Sequence, residues 1–547
     1  MADYEREVGS DPLGVAAALL ETPREVSAQL YGLRALWHAR LGAGGSARYV
    51  RLAVAALQHN CTASQTLVVE VCATLTDFLR AEHTLAPLLL PARDPAFEAL
   101  AAFPNQDDVA RVCLVLLAEI LSHGGVDGRL HEPARASDRC FALLRALATH
   151  GPNCLDVTVA ACVVLTSLLW ACEAARAHAT RLGAARAVIT ATSCHVTHLC
   201  VVNWALRSLY FLNYHVADGA AVLAFVAAVF EKHPQMPPVF IKHALDVLYV
   251  LTGLKESDDA RAAMVAPGAS DGHAMLRVCV DLLLAPPDGS DEFDVDLTAL
   301  DVLTAVAQKA PRAMLTVCPA AARAALAPAV ARPDVPSMAL RAWTALMWMK
   351  PPSLSRAGAA ECVEDMVAVL RACAATAASQ QPGDERDKTM DVLASGLVML
   401  CAFAKPCHYD GETDADVAES KRTALLAAVR AGGRAVVARA YLLLRNARGT
   451  AQLLHVLAAT SVFGVSDGAH AGVMPGIGPD GADVRFPRPD RHCDACGVRG
   501  DPPAVKLSRC IRCRAAMYCS AECQRGHWAT HRQDCKELAA MLAQDGR

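Results

Sequence analysis

Ala205-Leu206-Arg207-Ser208-Leu209-Tyr210-Phe211-Leu212 is the phrase on which the fold turns, because it returns. It comes back as Ala244-Leu245-Asp246-Val247-Leu248-Tyr249-Val250-Leu251 and as Ala299-Leu300-Asp301-Val302-Leu303-Thr304-Ala305-Val306. A fourth copy is Ala339-Leu340-Arg341-Ala342-Trp343-Thr344-Ala345-Leu346. Apolar residues at every third and fourth place mark one face of an α-helix. Leu206, Leu245, Leu300 and Leu340 are 39, 55 and 40 residues apart. A period near 40 belongs to armadillo and HEAT arrays, in which two or three helices make each unit. The long middle interval contains Pro286-Pro287-Asp288-Gly289-Ser290-Asp291-Glu292, which reads as an inserted surface loop. Weaker copies start at Leu114 and Ala394.

The whole chain agrees with that reading. Of 547 residues, 54 % are hydrophobic, 20 % charged and only 5 % aromatic. That is too apolar for a disordered chain, and its Ala and Leu favour helix over a β-sandwich. The predicted fold class is all-α: an armadillo/HEAT-like helical solenoid over residues 11–465, one right-handed superhelix of about ten units with little or no strand. The acidic start, Met1-Ala-Asp-Tyr-Glu-Arg-Glu, is not a secretory signal. The best uncharged apolar run, Val157 to Cys172, is shorter than the roughly 20 residues a membrane span needs. A soluble, intracellular protein is expected, in cytoplasm or nucleus, with no membrane contact.

Residues 466–490 change character: five Gly and four Pro, with no helical period. They read as a flexible linker reaching about 25 to 30 Å. Beyond it lies a compact segment, 491–536, and a short tail, 537–547.

Fifteen of the 22 cysteines are scattered between Cys61 and Cys407, mostly in apolar helical stretches, and read as small buried hydrophobes in a reducing compartment. The other seven crowd between Cys493 and Cys535. They form Cys493-x2-Cys496, Cys510-x2-Cys513, Cys519-x3-Cys523 and, with a histidine, His531-x3-Cys535. Two-residue gaps suit knuckle turns, and three-residue gaps place ligands one helical turn apart. Eight such ligands fill two tetrahedral Zn²⁺ sites and leave no open position, so the zinc is structural. The spacing allows either sequential or interleaved pairing. His527 is redundant once eight positions are filled.

Tyr518-Cys519-x3-Cys523-Gln524 and His527-Trp528-x2-His531-x3-Cys535 resemble a MYND-type zinc finger. The resemblance covers some 43 residues, from Cys493 to Cys535. It implies interleaved sites, with Cys493, Cys496, Cys519 and Cys523 on one zinc and Cys510, Cys513, His531 and Cys535 on the other. It also implies a protein-interaction module that takes proline-containing peptides, with Gln524 and Trp528 at peptide-contacting positions. The thirteen residues between Cys496 and Cys510 are generous for the family and read as a longer loop.

From Arg491 to Lys536, nine Lys/Arg face four Asp/Glu, but seven thiolates and two Zn²⁺ leave only about +2. With a chain total of −4, that does not favour nucleic acid as a partner. Neither Cys194-His195-x2-His198-x-Cys200 nor Cys407-His408 has paired metal-ligand spacing. No phosphate loop, nucleophile elbow or zinc-protease motif occurs. Some MYND proteins are lysine methyltransferases with a SET domain split around the finger; here helix signal fills the upstream region and twelve residues follow the last ligand. The expectation is a non-enzymatic scaffold or adaptor, with transcriptional regulation as one setting. The alternatives are a cytoplasmic assembly factor, since a finger behind helical repeats also resembles axonemal dynein assembly proteins, or an enzyme with an unrecognised site in the helices. Pro87-Leu88-Leu89-Leu90-Pro91 matches Pro-x-Leu-x-Pro, the form MYND fingers favour by resemblance. It reads as a packed corner between helices, or, if exposed, as a ligand for the finger in the same chain.

Overall fold

In the computed structural model, the recurring phrases all fall on helices, and within each of two units those helices pack on one another. The structure describes residues 25–38, 46–123, 133–212, 219–253, 264–265, 270–285, 294–332, 335–349, 356–381, 383–404, 423–424, 426–444, 493–498, 505–513 and 515–544. Two compact units divide the chain, Met1–Ala260 and Arg261–Arg547. The proposed linker, the Pro286–Glu292 insertion and Cys407-His408 lie outside the described residues.

In the first unit, five helices form a ladder: α1 (Gln65–Ala81), α2 (Asp107–His123), α3 (Leu155–Ala171), α4 (Leu199–Leu212) and α5 (Pro238–Gly253). Ser64 starts α1 by accepting the Leu67 N–H at 3.3 Å, which satisfies one of the donors a helix start leaves over. The middle helix, α3, is buried nearly all round, as befits a rung with neighbours on both sides. Its two buried threonines do not go unpaired. Thr158 donates to the Gly151 carbonyl at 2.7 Å, and Thr166 meets Ser208 of α4 at 2.9 Å.

Bonds between rungs keep a near-constant sequence offset. Arg80 Nε donates to Glu119 across 39 residues, and Asn203 Oδ1 lies 2.7 Å from His243 Nδ1 across 40. The buried Cys72 and Cys113 thiols meet at 3.8 Å across 41. The period read from the leucines is thus the period of the contacts.

The second unit repeats the scheme in two columns. One column holds α7 (Val295–Lys309), α9 (Pro336–Met349) and α11 (Asp384–Ala404). The other holds α6 (Ser270–Leu284), α8 (Ala321–Ala331), α10 (Arg356–Ser379) and α12 (Gly433–Leu444). Arg341 pairs with Asp301 across 40 residues, and Arg323 with Glu361 at 3.1 Å across 38. No strand occurs among the described residues before 493, and no helix there is long and apolar enough to cross a membrane.

One copy of the phrase sits differently. Leu206, Leu245 and Leu300 are fully buried, whereas Leu340 is 46 % exposed. The fourth copy carries Trp343 where the others have leucine, and the indole packs over Gly396 of α11, where a Cβ would come within 2.8 Å of the ring.

Pro87-Leu88-Leu89-Leu90-Pro91 is helical: Ala86–Leu89 is a short α-helix and Leu90–Ala92 a 3₁₀ turn. Leu89 is fully buried. A helical segment whose central Leu89 is buried cannot present an extended Pro-x-Leu-x-Pro ridge, so this corner serves packing and the idea of a self-ligand falls.

Candidate metal centre

Two turns and one helix build the cysteine segment. Gly497 donates to the Cys493 carbonyl at 2.8 Å and Cys493 to that of Val498 at 2.9 Å, closing the first knuckle. Gly497 takes φ +73° there, a left-handed value that glycine adopts without penalty. The second knuckle, Cys510 to Cys513, is the turn between β1 (Ser508–Arg509) and β2 (Met517–Tyr518), an antiparallel pair in which Ser508 faces Tyr518. Then α13 (Ala521–Gln544) carries Cys523, His531 and Cys535 on its inner side.

Folding brings the eight residues into two groups of four: Cys493, Cys496, Cys519 and Cys523, and Cys510, Cys513, His531 and Cys535. Of the two pairings the spacing left open, the structure has the interleaved one. Within each group the ligand atoms lie within 4.8 Å of one another. In the first, Cys496–Cys519 and Cys519–Cys523 sulfurs are 3.6 and 3.5 Å apart. In the second, Cys510–Cys535 is 3.8 Å and Cys513 Sγ to His531 Nε2 is 3.3 Å. A tetrahedron with Zn–S bonds of about 2.3 Å has edges of about 3.8 Å between sulfurs and about 3.5 Å from sulfur to nitrogen. Both donor sets fit Zn²⁺ in kind, number and separation, so the protein has two structural zinc sites among its described residues. Saturated four-ligand sites have no position for a reacting water.

Without metal the thiols divide: Cys513 and Cys535 are raised, chiefly by burial, and Cys519 by its hydrogen bond with Cys523, whereas Cys493 and Cys510 are lowered. Burial would push the Cys493 thiol up, but the backbone N–H groups around it draw it down to about 7. Cys510 is likewise lowered, against its burial, by the N–H groups of its own knuckle. Burial holds the His531 ring down to about 4, so it is the neutral imidazole a metal requires. His527 is not among the ligand groups; its Nδ1 lies 3.1 Å from the Tyr518 hydroxyl and its ring stacks on His531. The second group is fully buried, whereas Cys496 of the first is exposed.

The finger does not stand apart from the helices. Its small core of Cys493, Cys510, Cys513, Tyr518, Cys535 and Leu538 includes Ala435 of α12, with Ala438 packed against it. Three ion pairs cross the same seam. Arg434 of α12, 2 % exposed, meets Asp494, 3 % exposed. Arg439 meets Glu537. Arg371 of α10 lies 3.4 Å from Asp534 and donates to the Ala431 carbonyl at 2.5 Å. Asp494 also accepts the Met517 N–H at 3.1 Å and gives its own N–H to the Met517 carbonyl at 2.8 Å, so one residue joins knuckle, hairpin and body. Two glycines permit the approach. At Gly497 a Cβ would lie 2.8 Å from Leu426 Cδ2, and at Gly432 (φ +87°) it would lie 2.6 Å from Arg371 and 3.1 Å from Asp534.

Gln524 is half-buried and Trp528 is 37 % exposed, its ring edge-on to His531 at 6.0 Å. Sequence reasoning singled out both, but not Arg371, Arg434, Arg439 or Ala435, which hold the finger in place. The Cys194–Cys200 stretch forms no ligand group among the described residues: His195 Nε2 lies 2.9 Å from the Gly151 carbonyl, and Cys194 and Cys200 are exposed.

Residues 493–535 match the MYND finger family. The chain is similar, over its finger alone, to N-lysine methyltransferase SMYD2 of Gallus gallus, 41 % identical over 50 residues, which are 9 % of this chain and 11 % of that protein. It is similar to histone-lysine N-methyltransferase SMYD3 of Homo sapiens, 46 % identical over 46 residues, 8 % of this chain and 10 % of that protein. The chain therefore covers about a tenth of the length of the curated relatives it matches.

Proposed function

We propose that this protein is a non-catalytic adaptor: an armadillo/HEAT-like helical array that holds one partner and carries, fixed at one end, a MYND finger that recruits a second through a short proline-containing peptide. The observation that carries the reading is the seam between finger and body. It engages Asp494, Asp534 and Glu537 on one side and leaves Gln524 and Trp528 accessible on the other. An aromatic side chain beside an accessible helix face is suited to a preformed polyproline ridge. The constant offset of about 40 residues between bonded helices supports the repeat-array reading of the body. Because likeness to methyltransferases is confined to the finger, recruitment and not methyl transfer is what the likeness supports here. The buried free thiols suit a reducing, intracellular setting, cytoplasmic or nuclear.

Titrating the full zinc-loaded chain with a labelled Pro-x-Leu-x-Pro peptide, read by fluorescence anisotropy, tests the recruiting role. Saturable binding that weakens by more than tenfold in Trp528→Ala, at unchanged zinc content, is the expected result. Absence of binding with any proline-containing peptide would remove it.

A further inference from the structure

Docking sorts the finger's charges. Among its described residues, Asp494, Asp534 and Glu537 all face arginines of the body, and none of the three is exposed. The exposed charged residues are Lys506, Arg512, Arg525, Arg532 and Lys536, against Glu522 alone. Among the described finger residues the exposed charge is therefore strongly one-sided.

The positive side chains are also placed. Arg525, Arg532 and Lys536 follow one another at i, i+7 and i+11, which is a single stripe along α13. Trp528, one turn from Arg532, borders that stripe, and Gln524 lies beside Arg525. Glu522 pairs with Arg525 at 3.0 Å. On the knuckle of the second zinc site, Arg512 follows Ile511, which is 94 % exposed. Ile511 and Trp528 flank the same four ligands, one within the Cys510–Cys513 turn and the other against His531. Three thiolates, a neutral histidine and Zn²⁺ give that cluster a net charge of about −1, held on buried atoms beneath the surface. Apolar anchors thus sit inside a cationic rim.

We propose that the finger's partner is an acidic peptide, one whose apolar proline-containing core is flanked by carboxylates that meet Arg512, Arg532 and Lys536. This rests on the peptide-recruiting role above and adds the charge of the partner to it. The rim supplies register and selectivity, while the anchors supply most of the affinity.

The test uses the full zinc-loaded chain and three labelled peptides sharing one Pro-x-Leu-x-Pro core, flanked by Asp/Glu, by Ser or by Lys. The acidic peptide should bind about 2- to 30-fold more tightly than the Ser peptide in low salt, as expected when two of these three exposed charge contacts form. That advantage should collapse at 0.5 M salt, where screening acts within a few ångströms. The double variant Arg532→Glu/Lys536→Glu lies on the exposed stripe, should retain two zinc ions, and should reverse the order in favour of the Lys-flanked peptide. If the three peptides bind equally and Trp528→Ala weakens all of them, the acidic partner is wrong while peptide recruitment stands. If none binds, the underlying role fails first. An acidic advantage that survives Trp528→Ala, or that a duplex oligonucleotide shares at the same affinity, also overturns the proposal, because the rim would then bind polyanions at large.

Discussion

Replacing Arg434 by methionine should release the finger from the body while leaving its zinc ligands untouched. Arg434 and Asp494 are both almost wholly out of solvent, and the methionine keeps much of the side-chain volume while removing the charge. Asp494 would stay behind, committed to the Met517 N–H in a seam that has already pushed its carboxyl up to about 6 with arginine beside it. Stranding one member of a buried ion pair typically costs about 3 to 5 kcal/mol. Expressed as an equilibrium, that lowers the docked-to-undocked ratio by about two to three and a half orders of magnitude. Arg439–Glu537 and Arg371–Asp534 are more exposed and should recover little of it. The measurement is native-state hydrogen exchange across α12 and the hairpin, with the rate of zinc transfer to a colorimetric chelator. Both should rise in Arg434→Met. Arg434→Met/Asp494→Asn should be milder than the single variant, since an amide still accepts the Met517 N–H and no charge is stranded. Unchanged exchange and zinc transfer in the single variant, or a double variant as poor as the two singles summed, would refute the reasoning.

Gly497→Ala should weaken the same seam, by about 1 kcal/mol for the left-handed backbone and more for the contact with Leu426; Leu426→Ala should relieve the second part but not the first, as read by limited proteolysis. Metal analysis should find two zinc ions per chain, and Cys513→Ser and Cys519→Ser should each lose one, from different sites. Toward iodoacetamide at neutral pH, Cys194 and Cys200 should react first among the described cysteines of zinc-loaded protein. Cys162 and Cys279, fully buried and pushed up to about 12 by that burial, should stay unmodified until the chain unfolds, which mass spectrometry of the alkylated peptides would check.

Much of the helical body was legible because its signal is periodic. Leu206 and Leu245, and again Leu300 and Leu340, recur at a helical and a repeat period together, and within each unit their helices pack on one another. Leu340, 46 % exposed, escaped that reading, because a leucine count registers the period and not which face the neighbouring helices cover. The zinc ligands were legible for a chemical reason, since metal coordination fixes residue type and gap together. Their pairing was not, because a gap says which residues are close in sequence and nothing about which pairs meet. The seam left no trace. Arg434 and Asp494 stand 60 residues apart, on either side of a Gly/Pro-rich stretch, and an Arg–Asp pair has no spacing of its own. Ala435 looks like any helical alanine until the cysteines are packed against it.

Stacked helices must end somewhere, and an end is an apolar face with no further neighbour. Among the described residues of the second unit, α12 is the last helix of its column, and the finger covers its Ala435 and Ala438. The finger is in this sense a lid on the stack, and two metal ions hold the lid in shape. Zinc withdrawal would then bare a face built to receive another helix, and the nearest source of one is a second copy of the same chain. Depletion should be visible as turbidity or larger particles in light scattering, before any large loss of helical circular dichroism.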